Sequence, residues 1–303
     1  MELSGSGDNY QRAFAGDTYN TAVYAKRCQA ELNVQMLTAV GEDPVSAAML
    51  AQWRRDGVGH DMVMTSTHAH PGIYAIATDD QGERSFTYWR KDSAATELVS
   101  LLSSVIKEQA AKFGMVFFSG ITLAILSETD KTELLGWLGR LKENGSRIAL
   151  DPNYRAALWD SSDHAAHWLT QAYELVDIAL PGLFDHQSVF GQKTEDDVYR
   201  FLTACNVSEV VLKAGAAGIF VYADHQLITH RRIEQHQAVD TTGAGDAFAG
   251  TYLAQRLVGM QPTDALDNAA SVAGLVVQHK GAIVDERTYR EFLVATTKTK
   301  VGH

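Results

Sequence analysis

Cysteine is scarce in this chain, with only Cys28 and Cys205 among 303 residues. Two thiols are too few for a disulfide framework and fit a reducing cytoplasm. No apolar run reaches the ~20 residues that a membrane-spanning helix needs. The N-terminus lacks the basic-then-apolar pattern of a signal peptide. Positive charge is also short: 26 Lys and Arg stand against 37 Asp and Glu, a formal charge of −11 with a pI near 5.4. Such a field repels nucleic acid and anionic membranes, and an anionic substrate needs local positive charge to bind. No Gly-x-Ser-x-Gly elbow is present, which argues against a serine hydrolase. There is no internal repeat, low-complexity tract or proline-rich linker.

What remains is an ordinary globular composition, 46% hydrophobic and 21% charged. The length suits one large α/β domain or two small ones. Pattern and punctuation predict strands at 33–40, 73–78, 83–90, 115–119, 147–150, 178–180, 209–213, 218–222 and 226–229. They predict helices at 44–55, 127–144, 195–205, 247–257, 263–280 and 288–295, and one that the stretch 15–22 leads into and that runs through about Arg27. The pair 73–78 and 83–90 reads as a hairpin around Asp79-Asp80-Gln81-Gly82, and period 2 puts Phe86, Tyr88 and Arg90 on one face of its second strand. Strands alternating with helices imply a mostly parallel sheet covered on both faces. Ligands in such sheets bind beyond the carboxyl ends of the strands, where Gly120, Asp151 and Lys213 fall.

One stretch concentrates the chemistry: Asp240-Thr241-Thr242-Gly243-Ala244-Gly245-Asp246-Ala247-Phe248. Gly243, Ala244 and Gly245 carry no side chain that keeps an anion from the backbone. The first amides of a helix lack partners within it and carry the positive end of its dipole. This turn therefore suits a phosphate, and Asp246 at the helix entrance can accept a proton from a nearby hydroxyl. The bland alternative is a glycine-rich turn that Asp246 caps. The histidines His68, His70, His225, His230 and His236 fall in no ligand framework with cysteines or carboxylates and read as polar surface residues.

The nine-residue stretch resembles the second signature of the ribokinase (PfkB-type) carbohydrate kinases, and 15–22 (Ala-Gly-Asp-Thr-Tyr-Asn-Thr-Ala) resembles the first. Three further blocks look like those of the 2-keto-3-deoxygluconate kinases in that family. They are Pro71-Gly72-Ile73-Tyr74 with Glu83-Arg84-Ser85-Phe86-Thr87-Tyr88-Trp89-Arg90, the run 119–126, and Asp151-Pro152-Asn153-Tyr154-Arg155. The resemblance runs from Glu2 to about Ile283. It implies an α/β, ribokinase-like, doubly wound fold with a mostly parallel sheet and helices on both faces. It also implies a small β-strand lid, at about 5–15 and 68–92, within a single kinase domain over 1–303.

The resemblance further implies ATP-dependent phosphorylation of 2-keto-3-deoxy-D-gluconate at its terminal hydroxyl, with Asp246 as catalytic base. Gly16, Asp17 and Asn20 would contact the substrate hydroxyls, Tyr74 would line the sugar-acid site from the lid, and Tyr88, Arg90 and Arg155 would fix the acid end. A guanidinium suits a carboxylate, which it grips through paired hydrogen bonds. Nucleotide contacts would come from Asn153, Lys213, Gly215, Gly218, Gly243, Ala244 and Gly245. The cofactors would be ATP and magnesium, with room for a monovalent cation. The family's Asn-x-x-Glu magnesium motif is reduced here to Gly182-Leu183-Phe184-Asp185, leaving Asp185 as its remnant. Asn268 could face the adenine or simply lie on a helix surface.

The family's lids often pair between subunits, which implies a cytoplasmic homo-oligomer. Relatives carry an apolar first strand before the segment matching Met1–Ser4, and Glu2 matches a carboxylate at its end. Without that strand the sheet should hold a slot with unpaired backbone groups. The expectation is a truncated chain or a start assigned too late. The rival readings are a neutral-sugar kinase, for fructose or ribose, and a non-catalytic sugar-acid sensor on the same fold.

Overall fold

The structure, a computed structural model, describes residues 1–6, 9–78, 84–232 and 238–301. The expected hairpin turn at 79–82, Gly7, Asp8, Glu83, His236 and the side chain of Phe86 lie outside what is described. The chain forms two compact units. The larger comprises 1–16 with 33–232, and the smaller comprises the described residues of 17–32 and 233–303.

In chain order the elements begin with β1 (Glu2–Ser6), β2 (Asn9–Ala13), α1 (Asp17–Cys28), β3 (Gln35–Val40), α2 (Pro44–Arg55), β4 (Gly59–Thr65), β5 (Ile73–Thr78) and β6 (Arg84–Trp89). Next come α3 (Ser104–Ala110), β7 (Met115–Ser119), α4 (Gly120–Ala124), α5 (Glu128–Glu143), β8 (Arg147–Asp151), α6 (Ser162–Leu175), β9 (Ile178–Ala179), α7 (Leu183–Phe190) and α8 (Glu195–Ala204). The chain closes with β10 (Glu209–Lys213), β11 (Ile219–Ala223), β12 (Gln226–Arg231), α9 (Ala244–Leu257), α10 (Pro262–Val276) and α11 (Glu286–Val301).

The larger unit is built on a six-stranded sheet, ordered β12-β11-β10-β9-β8-β7. Strands β7 to β10 run parallel, and β11 and β12 return antiparallel. Ile148, Ala149, Leu150, Val211 and Leu212 are fully buried, as expected for parallel strands covered on both faces. Burying each such aliphatic side chain contributes roughly 1.5–3 kcal/mol. Helix α5 lays Leu134, Leu138 and Leu141 against this core, and α6 adds Trp168, Leu169 and Tyr173. Local chemistry starts the helices where expected. Asp43 caps α2 by accepting the amides of Val45 and Ser46 at 2.8 and 3.0 Å. Ser127 caps α5 through the amide of Asp130 at 3.2 Å.

Strands β3 and β4 form a separate two-stranded parallel sheet. Residues 2–6 form the first strand of a third sheet. There β1 pairs antiparallel with β2 and parallel with β5, completing a four-stranded sheet ordered β2-β1-β5-β6. This sheet takes in residues from Glu2, ahead of the lid segment expected at about 5–15.

The smaller unit is helical. Helices α1 and α9 pack closely because Gly250 has no Cβ: one there would stand 2.2 Å from the Thr21 carbonyl oxygen. Tyr24 donates to the Ala282 carbonyl at 3.1 Å and accepts the Val284 amide at 3.0 Å, pinning the segment before α11. Burial pushes its phenol up to about 12. Gly250→Val is expected to lower stability by about 1–3 kcal/mol through overpacking, read as an earlier denaturant midpoint. An unchanged midpoint would mean that the helices part freely.

Candidate active site

The glycine turn sits at the start of α9 in the smaller unit. Gly243 is the N-cap, left-handed at φ 77, and makes no side-chain cap bond. A Cβ there would meet Ala282 at 2.6 Å, so only glycine fits. The helix begins at Ala244, three residues earlier than the sequence suggested, because Ala244 and Gly245 complete its first turn. Asp246 is therefore not the cap. Among the described residues nothing lies within 4 Å of a Cβ built on Gly245, so the backbone there is bare where helix amides have no intrahelical partner.

Asp246 is half-buried in that first turn, and its Oδ2 accepts from Asn20 Nδ2 of α1 at 2.8 Å. Asp17 opens the same helix α1, directly after Gly16. Asp240, to which the sequence assigned no role, ties the turn down. Its Oδ1 accepts the Thr242 amide at 3.0 Å and hydroxyl at 2.7 Å, and its Oδ2 accepts the Gly281 amide at 3.0 Å. Asn268 is half-buried and donates to Gln255 of α9 at 3.3 Å.

The larger unit gathers a second group at the carboxyl ends of β8 and β10. Asp151 is buried, and its Oδ2 accepts from Lys213 Nζ at 2.6 Å while its Oδ1 accepts the Asn153 amide at 3.1 Å. Asn153 takes a left-handed φ of 35, which asparagine tolerates better than most residues. Gly120 is required here, because a Cβ on it would lie 2.0 Å from the Pro152 carbonyl. Arg155 is exposed at the end of this turn. Asp185, in the first turn of α7, is pushed up to about 6, chiefly by burial and then by the charge of Asp151, against the pull of Lys213 and Arg155. Asp151 thus joins Lys213, Asn153 and Asp185, a role the sequence alone did not reveal. Its one signal was an acidic residue at the end of a buried parallel strand.

The sign of the Asp185 shift gives a prediction. Folded Asp185 keeps its proton to about pH 6, whereas the ordinary value is 3.8. The folded state therefore loses stability as pH rises from about 4 to 6, and the loss is complete above that window. Asp185→Asn should be more stable than wild type by roughly 1–3 kcal/mol at pH 7 and nearly equal to it at pH 4. Denaturant titrations without divalent metal check this, and an equal gap at both pH values would contradict it.

The third group lies in the lid. Tyr74 and Tyr88 are cross-strand partners with ring centroids 6.1 Å apart. The Arg90 guanidinium lies 4.3 Å from the centre of the Tyr88 ring. The Tyr74 hydroxyl donates to Glu2 Oε2 at 2.6 Å, and Glu2 is buried. Glu2 therefore belongs to the lid constellation.

Among the described residues no group of three or more His, Cys, Asp or Glu could hold a metal ion. His68 and His70 instead face Glu97 at 3.0 Å and Asp43 at 3.1 Å. Both cysteines are free. No helix among the described residues is long and apolar enough to cross a membrane.

Residues 2–288 match the model of the pfkB family of carbohydrate kinases. The chain belongs to this family. It is 37% identical over 290 residues to a 2-dehydro-3-deoxygluconokinase of Dickeya dadantii, covering 94% of each chain. It is 38% identical over 290 residues to the enzyme of the same name from Escherichia coli K12, again over 94% of each. A crystal structure of a PfkB protein from Polaromonas sp. JS666 shares the fold, with a TM-score of 0.82, 21% identity and 96% of each chain covered. For this pfkB kinase, these likenesses bear out the doubly wound, ribokinase-like fold.

Proposed function

We propose that this kinase transfers the γ-phosphoryl group of ATP to the terminal hydroxyl of 2-keto-3-deoxygluconate, giving the 6-phospho product and ADP. The observation that carries the reading is Asp246, standing in the first turn of α9 beside the bare backbone of Gly243–Gly245 and held by Asn20. The choice of acid over neutral sugar rests on Arg90, laid over Tyr88 in the lid, and on the names of the relatives.

In this mechanism Tyr88, Arg90 and Arg155 hold the carboxylate, and Gly16, Asp17 and Tyr74 contact the rest of the sugar acid. Asn20 orients Asp246, which accepts the hydroxyl proton as the new O–P bond forms and the bond to the ADP oxygen breaks. The amides of the Gly243–Gly245 turn stabilise the charge that develops on the transferring group. Asn153, Lys213, Gly215 and Gly218 serve the nucleotide. When bound, magnesium would neutralise part of the negative charge of the nucleotide phosphates. The hard carboxylate oxygens of Asp185 fit that ion, which commonly takes one or two carboxylates together with phosphates and water rather than an all-protein cage.

The two units act as one kinase domain in this reading. The lid, with Trp89 58% and Tyr10 50% exposed, joins copies into a cytoplasmic homo-oligomer, to be checked by light scattering.

A coupled ATP-consumption assay tests the reaction over 2-keto-3-deoxygluconate, other sugar acids, fructose and ribose. It is run with magnesium, with and without a monovalent cation. The keto acid should show the highest kcat/KM. Preference for fructose or ribose would replace this reading with a neutral-sugar kinase. Thermal stabilisation by the keto acid without ATP turnover would replace it with a sensor.

A further inference from the structure

The loop at 214–218 joins β10 to β11 and follows directly on Lys213. Three internal hydrogen bonds fold it: Ala214 N–H to the Gly218 carbonyl at 2.8 Å, Ala217 N–H to Ala214 at 3.1 Å, and Gly218 N–H to Gly215 at 3.0 Å. Gly215 and Gly218 take φ of 57 and 103, and a Cβ on Gly218 would lie 2.2 Å from the Arg231 carbonyl oxygen. The Ala217 carbonyl takes part in none of these bonds. It accepts instead from His230 Nε2 at 2.7 Å.

His230 comes from β12, where it is the register partner of Phe220 on β11. The two rings stack with centroids 4.2 Å apart at 15°. The imidazole is therefore held by a flat neighbour while its N–H reaches along the sheet to the loop. Cross-strand aromatic pairs of this kind fix ring orientation as well as adding stability. In sequence His230 looks like no more than a polar surface histidine.

We propose that His230 is a positioning residue for nucleotide binding: by fixing the Ala217 carbonyl it holds the 214–218 loop in the shape that receives ATP. This rests on the nucleotide role proposed above for Lys213, Gly215 and Gly218. His230 itself touches no substrate. Without its ring the carbonyl is free to turn, and a loop containing two left-handed glycines has many other shapes available. Part of the binding free energy then goes into re-ordering it.

The test compares wild type, His230→Ala and His230→Gln by calorimetric titration with ADP, by KM for ATP and for the keto acid, and by Tm. His230→Ala should weaken ADP binding and raise the ATP KM about three- to tenfold, the scale of one hydrogen bond. Its keto-acid KM and kcat should stay within about twofold of wild type on the same scale. His230→Gln, whose amide can donate to the same carbonyl, should restore ADP affinity. Unchanged ADP affinity in His230→Ala overturns the proposal. So does a variant in which both KM values rise together with a falling Tm, or a glutamine that restores nothing. A wild type that binds ADP but does not turn over the keto acid counts against the reaction proposed above and leaves His230 to be decided by the ADP titrations.

Discussion

Asp246→Asn is expected to lower kcat by about 100-fold or more, the usual scale for losing a general base, while the KM values for ATP and the keto acid stay near those of wild type. Asparagine has the shape of aspartate, and its amide oxygen can still accept from Asn20, which now lies 2.8 Å from Oδ2. The first turn of α9 and its bare glycines are therefore preserved, and the change falls on the proton. A neutral amide cannot take it, so the hydroxyl must attack without a base. What remains comes from the anion-binding turn and from holding the two substrates together. Steady-state kinetics with both substrates varied, alongside an unchanged Tm, separate this outcome from misfolding. Near-normal turnover would remove Asp246 from the chemistry.

Arg90→Ala is expected to raise the keto-acid KM by about 30-fold or more, roughly the cost of truncating one partner of a charge pair, and to leave the ATP KM alone. Truncating one partner of a hydrogen-bonded charge pair costs roughly 2–5 kcal/mol. The contact of Arg90 with Tyr88, 4.3 Å from the ring centre, adds a smaller cation–π contribution that the same variant loses. Lysine at 90 is a poor substitute, because an ammonium neither forks onto a carboxylate nor stacks as a guanidinium does. Neutral sugars give the control: whatever weak turnover fructose shows should hardly respond to the change. An unchanged keto-acid KM in Arg90→Ala would take the acid-binding role from the lid.

Much of the fold can be read where the chain carries punctuation. Met115–Ser119 stops at Gly120, and Glu209–Lys213 ends before a glycine-bearing loop. Asp43 and Pro44 mark the start of α2, and Ser127 the start of α5. Strands β1 and β2 are harder to see. Asn9–Ala13 is polar, and Tyr10 to Ala13 are exposed. These strands exist because a ladder offers partners, Glu2 to Tyr74 on one side and Leu3 to Arg12 on the other. Strand β4 and helix α6 are absent from the expected elements, although the helix was legible. Ala165, Trp168, Leu169, Ala172 and Tyr173 are buried at helical spacing.

The site divides in the same way. The signature around Asp246 is contiguous, so its turn and its acid appear together in sequence. Asp151 and His230 bond to groups from other strands, Lys213 sixty-two positions away and Ala217 in the loop before β11. No spacing rule within a single segment brings those pairs together. Strand order and register do so, and these exist only once the chain has folded.

In the proposed reaction a sugar acid receives phosphate on its terminal hydroxyl. The most direct measurement is correlated phosphorus and proton NMR of the product formed by the purified chain from ATP, magnesium and 2-keto-3-deoxygluconate. The account predicts one new phosphorus signal coupled to the protons on C6, appearing in step with ADP. Phosphate on any other carbon, or ADP formed with no phosphorylated acid, would contradict it.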